Sequence, residues 1–203
     1  MKKQLLAILC IFAINGIAGC SSSGKVVTKD ETQAVAWYRK AAEQGDAKAQ
    51  LNLALAYTGG RGIAQDDAQA VAWTRKAAEQ GDADAQVFLG YMYAVGIMGM
   101  AKDEALAVAW YRKAAEQGYA NAQDGLGVMY RDGTGITKDE TQAVAWFRKA
   151  AKQGFAQAQD HLGVMYEGGK GIAKDESQAV MWYRKAAEQG YTPAQEVLRR
   201  LSK

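Results

Sequence analysis

The stretch Ala34–Gly45, AVAWYRKAAEQG, is written five times in this chain, with near-copies at Ala70–Gly81, Ala107–Gly118, Ala143–Gly154 and Ala179–Gly190. Its tryptophans, Trp37, Trp73, Trp110, Trp146 and Trp182, stand 36, 37, 36 and 36 residues apart. A unit of that length cannot bury its own apolar face and must stack on its neighbours. A fixed period therefore predicts a solenoid.

Each copy reads as an amphipathic helix. Ala34, Trp37, Tyr38 and Ala41 fall at i, i+3, i+4 and i+7, with Val35 and Ala42 widening the stripe, and Arg39, Lys40 and Glu43 opposite. Asp30 stands ahead as an N-cap, with Gln33 completing a capping-box pattern that recurs as Asp66–Gln69, Asp139–Gln142 and Asp175–Gln178. Asp103–Leu106 keeps the cap without the box. Gly45, Gly81, Gly118, Gly154 and Gly190 stand where a helix ends on a left-handed residue.

A second, shorter helix lies between these, at Ala47–Tyr57, Ala83–Tyr93, Ala120–Tyr130 and Ala156–Tyr166. A final copy opens Thr192-Pro193, a cap followed by proline at the first helical position. Gly-rich loops such as Gly59-Gly60-Arg61-Gly62-Ile63 and Gly168-Gly169-Lys170-Gly171-Ile172 join short helix to long. The loop after Tyr93 carries the extra residue behind the single spacing of 37. Ten helices are expected, each antiparallel to the next.

The pattern AQ-x-x-LG-x-M-Y, a G-x-G-I loop, Lys-Asp-Glu and A-V-x-W-Y-R-K-A-A-E-Q-G resembles the Sel1-like repeat family over nearly all of 30–203. The related tetratricopeptide repeat has a period of about 34 and lacks the K-A-A-x-Q-G ending. The resemblance implies an all-α fold, a right-handed α-solenoid of antiparallel helix pairs. It also implies an adaptor role, binding other proteins in the concave groove.

The N-terminus reads differently. Met1-Lys2-Lys3 is a basic start, and Leu5–Ile14 is apolar over a length that suits a secretory leader rather than a spanning helix. Ile17-Ala18-Gly19-Cys20 resembles a bacterial lipobox. That resemblance implies cleavage before Cys20, acylation of its sulfur and amino group by chains such as palmitate, and stable membrane anchoring by several chains together. Ser21 after Cys20 goes with outer-membrane sorting. The expected organisation is a lipoprotein signal peptide at 1–19, lipidated Cys20 and a polar tether over 20–29, and the solenoid over 30–203. The expected location is the bacterial envelope, anchored at the outer membrane and facing the periplasm.

Cleavage removes Cys10 and lipid occupies Cys20, which leaves no disulfide and no cysteine metal site. A cysteine-rich subgroup of Sel1-like proteins is linked to penicillin binding or hydrolysis through repeats that each carry a disulfide, and its cysteines are missing here. Loss of Lys2 and Lys3 takes the formal charge from +3 to +1, and acid sits beside base in every repeat, so no nucleic-acid footprint forms.

Nothing in the chain reads as a catalytic constellation, a cofactor site or a metal site. The one histidine, His161, lacks a second imidazole, with Asp160 and Glu167 as its only nearby carboxylates in sequence. Acidic pairs such as Asp66-Asp67 and Asp139-Glu140 recur at every long-helix start, which argues for capping rather than acid–base work. The Gly-x-Gly loops lack the lysine and hydroxyl of a phosphate loop.

The repeats differ most on one stripe of the short helix. Positions 48, 51, 52 and 55 change from copy to copy and lie within an arc of about 100°. Ala49, Gln50, Leu53 and Tyr57 recur elsewhere on the circle. The variable stripe is expected to line a binding groove, with Phe88, Tyr91, Asp124, Asp160 and His161 as partner contacts. Packing between short helices is the competing account of its apolar members. A groove for a peptide or peptidoglycan is the alternative function, and a cell-wall or β-lactam hydrolase a remoter one.

Overall fold

The computed structural model describes residues 29–202, and the expected signal peptide, Cys20 and most of the tether lie outside them. Among the described residues the chain forms ten α-helices and no strand. The long helices are α1 (Lys29–Glu43), α3 (Asp67–Glu79), α5 (Glu104–Glu116), α7 (Glu140–Lys152) and α9 (Glu176–Glu188). The short ones are α2 (Ala47–Gly59), α4 (Ala83–Val95), α6 (Ala120–Asp132), α8 (Ala156–Gly168) and α10 (Thr192–Leu201). They stack in chain order, each packed on the elements next to it, as the period predicts.

The helix starts follow from the caps. Asp66, Asp103, Asp139 and Asp175 each sit in extended backbone and accept from the amide three residues on. The capping box forms only in this forward direction, since no glutamine side chain returns a bond to a cap among the described residues. Asp30 departs from expectation. α1 begins at Lys29, so Asp30 lies inside the first turn and offers its charge to the helix dipole instead of capping. The first two short helices gain aspartate caps the sequence reading passed over, Asp46 and Asp82.

The core is a chain of five small clusters, one per repeat. Leu53, Leu89, Leu126 and Leu162 occupy one equivalent position and are fully buried. Every cluster but the last is closed by a tryptophan from the following repeat. Trp73 packs over Val35, Ala42 and Leu53, and Trp110, Trp146 and Trp182 do the same further along. Lysines one turn on, Lys76, Lys113, Lys149 and Lys185, lie 3.7–4.5 Å above those rings and cover their outer faces.

Two polar ladders tie the stack. Gln50, Gln86, Gln123 and Gln159 are buried, and each donates to the main chain of the preceding long helix. Each also accepts from the glutamine that ends the next long helix, Gln80, Gln117, Gln153 or Gln189, at 2.7–2.8 Å. The second ladder joins Arg39, Arg75, Arg112 and Arg148 to the hydroxyls of Tyr57, Tyr93, Tyr130 and Tyr166.

The Gly-rich loops are clamps. A Cβ on Gly62 would overlap the carbonyl of Glu31, and Gly135 and Gly171 press on Glu104 and Glu140 in the same way. Only glycine permits that approach, which explains the Gly-x-Gly pattern without any phosphate. Gly99, in the longer loop after α4, meets nothing within 4 Å.

Candidate functional site

The four positions of the variable stripe do not share one environment. Leu51, Val87, Asp124 and Asp160 all point inward and are buried. At that position packing, rather than an open groove, decides the residue. Leu55, Tyr91, Val128 and Val164 are half-buried and hold the boundary between core and solvent.

Phe88 is in the core, 4 % exposed, among Leu51, Ala77, Leu89 and Met92. Its ring is therefore not an open groove contact. The cause lies on the long helix. Thr74 stands where the other repeats carry Tyr38, Tyr111, Phe147 and Tyr183, so this repeat has volume to fill. The equivalent of Phe88 one repeat on is Gly125, and a Cβ there would lie 2.7 Å from the Tyr111 ring. In these two repeats one large and one small residue share the contact, which keeps the core filled.

Asp124, Asp160 and His161 come together between α6 and α8. His161 Nδ1 lies 2.8 Å from Asp124 Oδ1, bridging two repeats, and its ring sits 4.9 Å from that of Phe147. The Asp124 side chain is 5 % exposed and that of His161 16 %. Asp160, next to His161 in sequence, is buried, and its Oδ1 has no hydrogen-bond partner. Burial pushes its carboxyl above the usual range, opposed by His161 and reinforced by the nearby charge of Asp124. Burial likewise raises the Tyr91 hydroxyl. Tyr111 is driven up further by burial, with Tyr91 and Asp124 adding to the effect.

Two more polar groups share this side of the stack: Asp84, not singled out from sequence, and Glu167, weighed there only as a carboxylate near His161. Asp84 on α4 accepts from Lys48 at 2.6 Å and from the Tyr119 hydroxyl. Glu167 on α8 accepts from the Tyr183 hydroxyl at 2.7 Å and pairs with Arg200 at 3.1 Å. A signal existed for the first: Lys48 and Asp84 are opposite charges one repeat apart, as Asp124 and His161 are partners 37 apart. Among the described residues no group of three or more His, Cys, Asp or Glu could hold a metal ion. No described helix is long and apolar enough to cross a membrane.

The Sel1 repeat model matches residues 12–46, 47–82, 83–119, 120–155 and 156–191. Each interval from the second onward runs from a short helix to the end of the next long one. Among solved structures, the chain is 44 % identical to a protective antigen of uropathogenic Escherichia coli displaying an SLR fold, with TM-score 0.77. That match covers 79 % of this chain and 34 % of the other, so this chain spans about a third of that protein's length. A Sel1 repeat protein from Oxalobacter formigenes is 42 % identical, TM-score 0.78, over 85 % of this chain and 68 % of that one. Cysteine-rich protein B of Helicobacter pylori is 29 % identical, TM-score 0.52, over 67 % and 97 %. Comparison with curated proteins gives no match.

Proposed function

The chain belongs to the Sel1 repeat family, whose members generally mediate protein–protein interaction, and from that premise we propose that it is a lipid-anchored scaffold of the bacterial envelope. It binds a partner protein along the short-helix stripe. One observation carries the reading. The contacts that hold the stack, glutamine to glutamine and arginine to tyrosine, are the same in repeat after repeat. The polar contacts on the outer side of the short-helix stripe do not repeat: Lys48–Asp84–Tyr119 links the first repeats and has no counterpart at Asn121 and Gln157 among the described residues. Chemistry that does not repeat on a scaffold that does is what a specific partner requires.

Catalysis has little support. The family is generally non-catalytic, and the recurring acidic pairs supply helix caps. His161 is bonded to Asp124 and no serine or threonine hydroxyl is among its hydrogen-bond partners. The lipid anchor rests on the lipobox-like Ile17-Ala18-Gly19-Cys20, and the protective antigen among its structural relatives fits an envelope placement.

The test has two arms. Cys20→Ser should abolish incorporation of a tagged palmitate and release the protein from membranes; retention of label would remove the anchor. In-cell cross-linking should recover an envelope protein with wild type and lose it with Tyr91→Ala/His161→Ala. Equal recovery by both forms would remove the stripe as the binding face. Capture of glycan or peptide alone would replace the scaffold reading with a peptide- or peptidoglycan-binding module.

A further inference from the structure

The joint between α4 and α5 departs from its counterparts in one direction. The loops after α2, α6 and α8 set small or polar residues around a single isoleucine: Gly60-Arg61-Gly62-Ile63, Gly133-Thr134-Gly135-Ile136 and Gly169-Lys170-Gly171-Ile172. The loop after α4 reads Gly96-Ile97-Met98-Gly99-Met100. Ile97 stands where the others have Arg61, Thr134 and Lys170, and Met98 is the inserted residue. Val95 before it replaces Gly59, Asp132 and Gly168, and Leu106 beyond it replaces Gln69, Gln142 and Gln178.

The core does not absorb these side chains. Val95 and Leu106 are each 41 % exposed, and Ile97, Met98 and Met100 are half-buried against the second cluster. Met98 has φ 55°, the one positive φ outside glycine among the described residues. A side chain disfavours that region, so the thioether is kept there against the backbone's preference. Five apolar side chains gathered at one joint mark a contact surface, where single ones would not. The charges beside them are engaged: Asp103 caps α5 on the Leu106 amide, and Lys102 pairs with Glu104 at 2.5 Å. Such a patch suits hydrocarbon rather than an ionic partner.

Its place in the fold says what it meets. The loops that lead into long helices lie at the edge where those helices start, since Gly62 abuts Glu31, Gly135 abuts Glu104 and Gly171 abuts Glu140. α1 starts at this edge too, at Lys29. The eight residues 21–28 that join Cys20 to it reach at most roughly 29 Å. Trp73 packs on Val35 and Trp110 on Ala77, so long helix follows long helix, and at about 10 Å per step α5 starts roughly 20 Å from α1. An acylated Cys20 holds this edge, with its apolar loop, within reach of the bilayer surface.

We propose that the loop after α4 inserts into the membrane interface, with Val95, Met98 and Leu106 entering the boundary between headgroups and acyl chains. This rests on the lipid anchor of the preceding reading and adds a second contact made by the protein itself. The lipid alone tethers the array; the loop fixes its orientation. The array then stands on its loop edge, and the short-helix stripe stays open along its side.

The test uses the full-length lipoprotein reconstituted in phosphatidylethanolamine–phosphatidylcholine vesicles. Ala101→Cys, at an exposed site in the loop, carries an environment-sensitive fluorophore, and wild type gives the background from Cys10 and Cys20. On vesicles its emission should shift to the blue and be quenched by nitroxides placed high on the lipid chains. A probe on Lys152→Cys, exposed at the opposite edge, should show neither. Adding Val95→Asp/Leu106→Gln, which gives this joint the residue types of Asp132 and Gln142, should abolish both effects while the protein still floats with the vesicles. An unshifted Ala101→Cys probe on floating protein overturns the insertion and leaves the anchor standing. Protein that does not float removes the anchor and the proposal with it. A blue shift before vesicles are added means that the chain covers its own loop, and one that needs added envelope proteins means a protein partner; either overturns the proposal.

Discussion

Tyr111 lies over Gly125 so closely that a Cβ on the glycine would stand 2.7 Å from the ring. One repeat earlier the same pair of positions reads Thr74 and Phe88, both buried. The bulk has moved from the long helix to the short one. Gly125→Phe should therefore destabilise the protein by about 1–3 kcal/mol through overpacking. Combining it with Tyr111→Thr should recover much of that loss, because the pair then reproduces the second repeat. A double-mutant cycle by denaturant melts measures the coupling, and additive effects would show that the two positions do not share one volume.

Asp160 gives a pH-dependent expectation. Its folded-state carboxyl is raised by burial, so the folded form holds its proton to higher pH than the unfolded one. Between the ordinary carboxylate value and that raised value, stability falls as pH rises. Above it a buried charge with an unpartnered oxygen remains. Asp160→Leu, the residue type of Leu51 at the same position, should raise stability at pH 7 by about 1–2 kcal/mol. The gain should shrink on acidification towards pH 4. Thermal melts across pH check both parts, and a gain that grows on acidification would reverse the assignment.

The glutamine ladder predicts a contrast between interior and end. Gln123 donates to Ala115 O and accepts from Gln153. Gln123→Met removes both bonds, and because Ala115 O keeps the Gly118 amide and Gln153 keeps Gly118 O, it should cost about 1 kcal/mol. Gln195 serves only Ala187 O in a single chain. Gln195→Met should cost clearly less when measured in dilute solution. Equal losses would mean that the inter-repeat bond contributes little.

The acidic pairs are testable as caps. Asp139 accepts from the amides of Thr141 and Gln142. Asp139→Ala should cost about 1 kcal/mol and Asp139→Asn much less, since asparagine caps nearly as well. Equal losses would point to a role for the charge itself.

The fold was legible because it is written repeatedly. Five tryptophans in register, with glycine after each long helix, leave little room for another architecture, and Gly45 and its four equivalents do take positive φ. The start of α1 was less so, because Asp30 looks like its cap-forming equivalents while the helix runs one residue past it. The candidate site was only partly legible. Sequence variation marked the stripe, but variation cannot distinguish solvent from a core refilled differently in each repeat. Phe88 and Asp124 vary for that second reason: one answers Thr74, the other meets His161 from the next repeat. Those causes lie on other helices, 14 and 37 residues away in sequence.

The glycine clamps have a consequence for how the array tolerates change. At Gly62, Gly135 and Gly171 the contact is with main-chain atoms of Glu31, Glu104 and Glu140, groups that any residue there would present. The rise from one repeat to the next is thus gauged by backbone against backbone. Helix faces are free to drift in sequence while the pitch stays constant, as a ruler keeps its divisions whatever is written beside them. At the joint after α4 Gly99 makes no such close approach, since a Cβ there would meet nothing within 4 Å. That joint is also where the period slips by one residue.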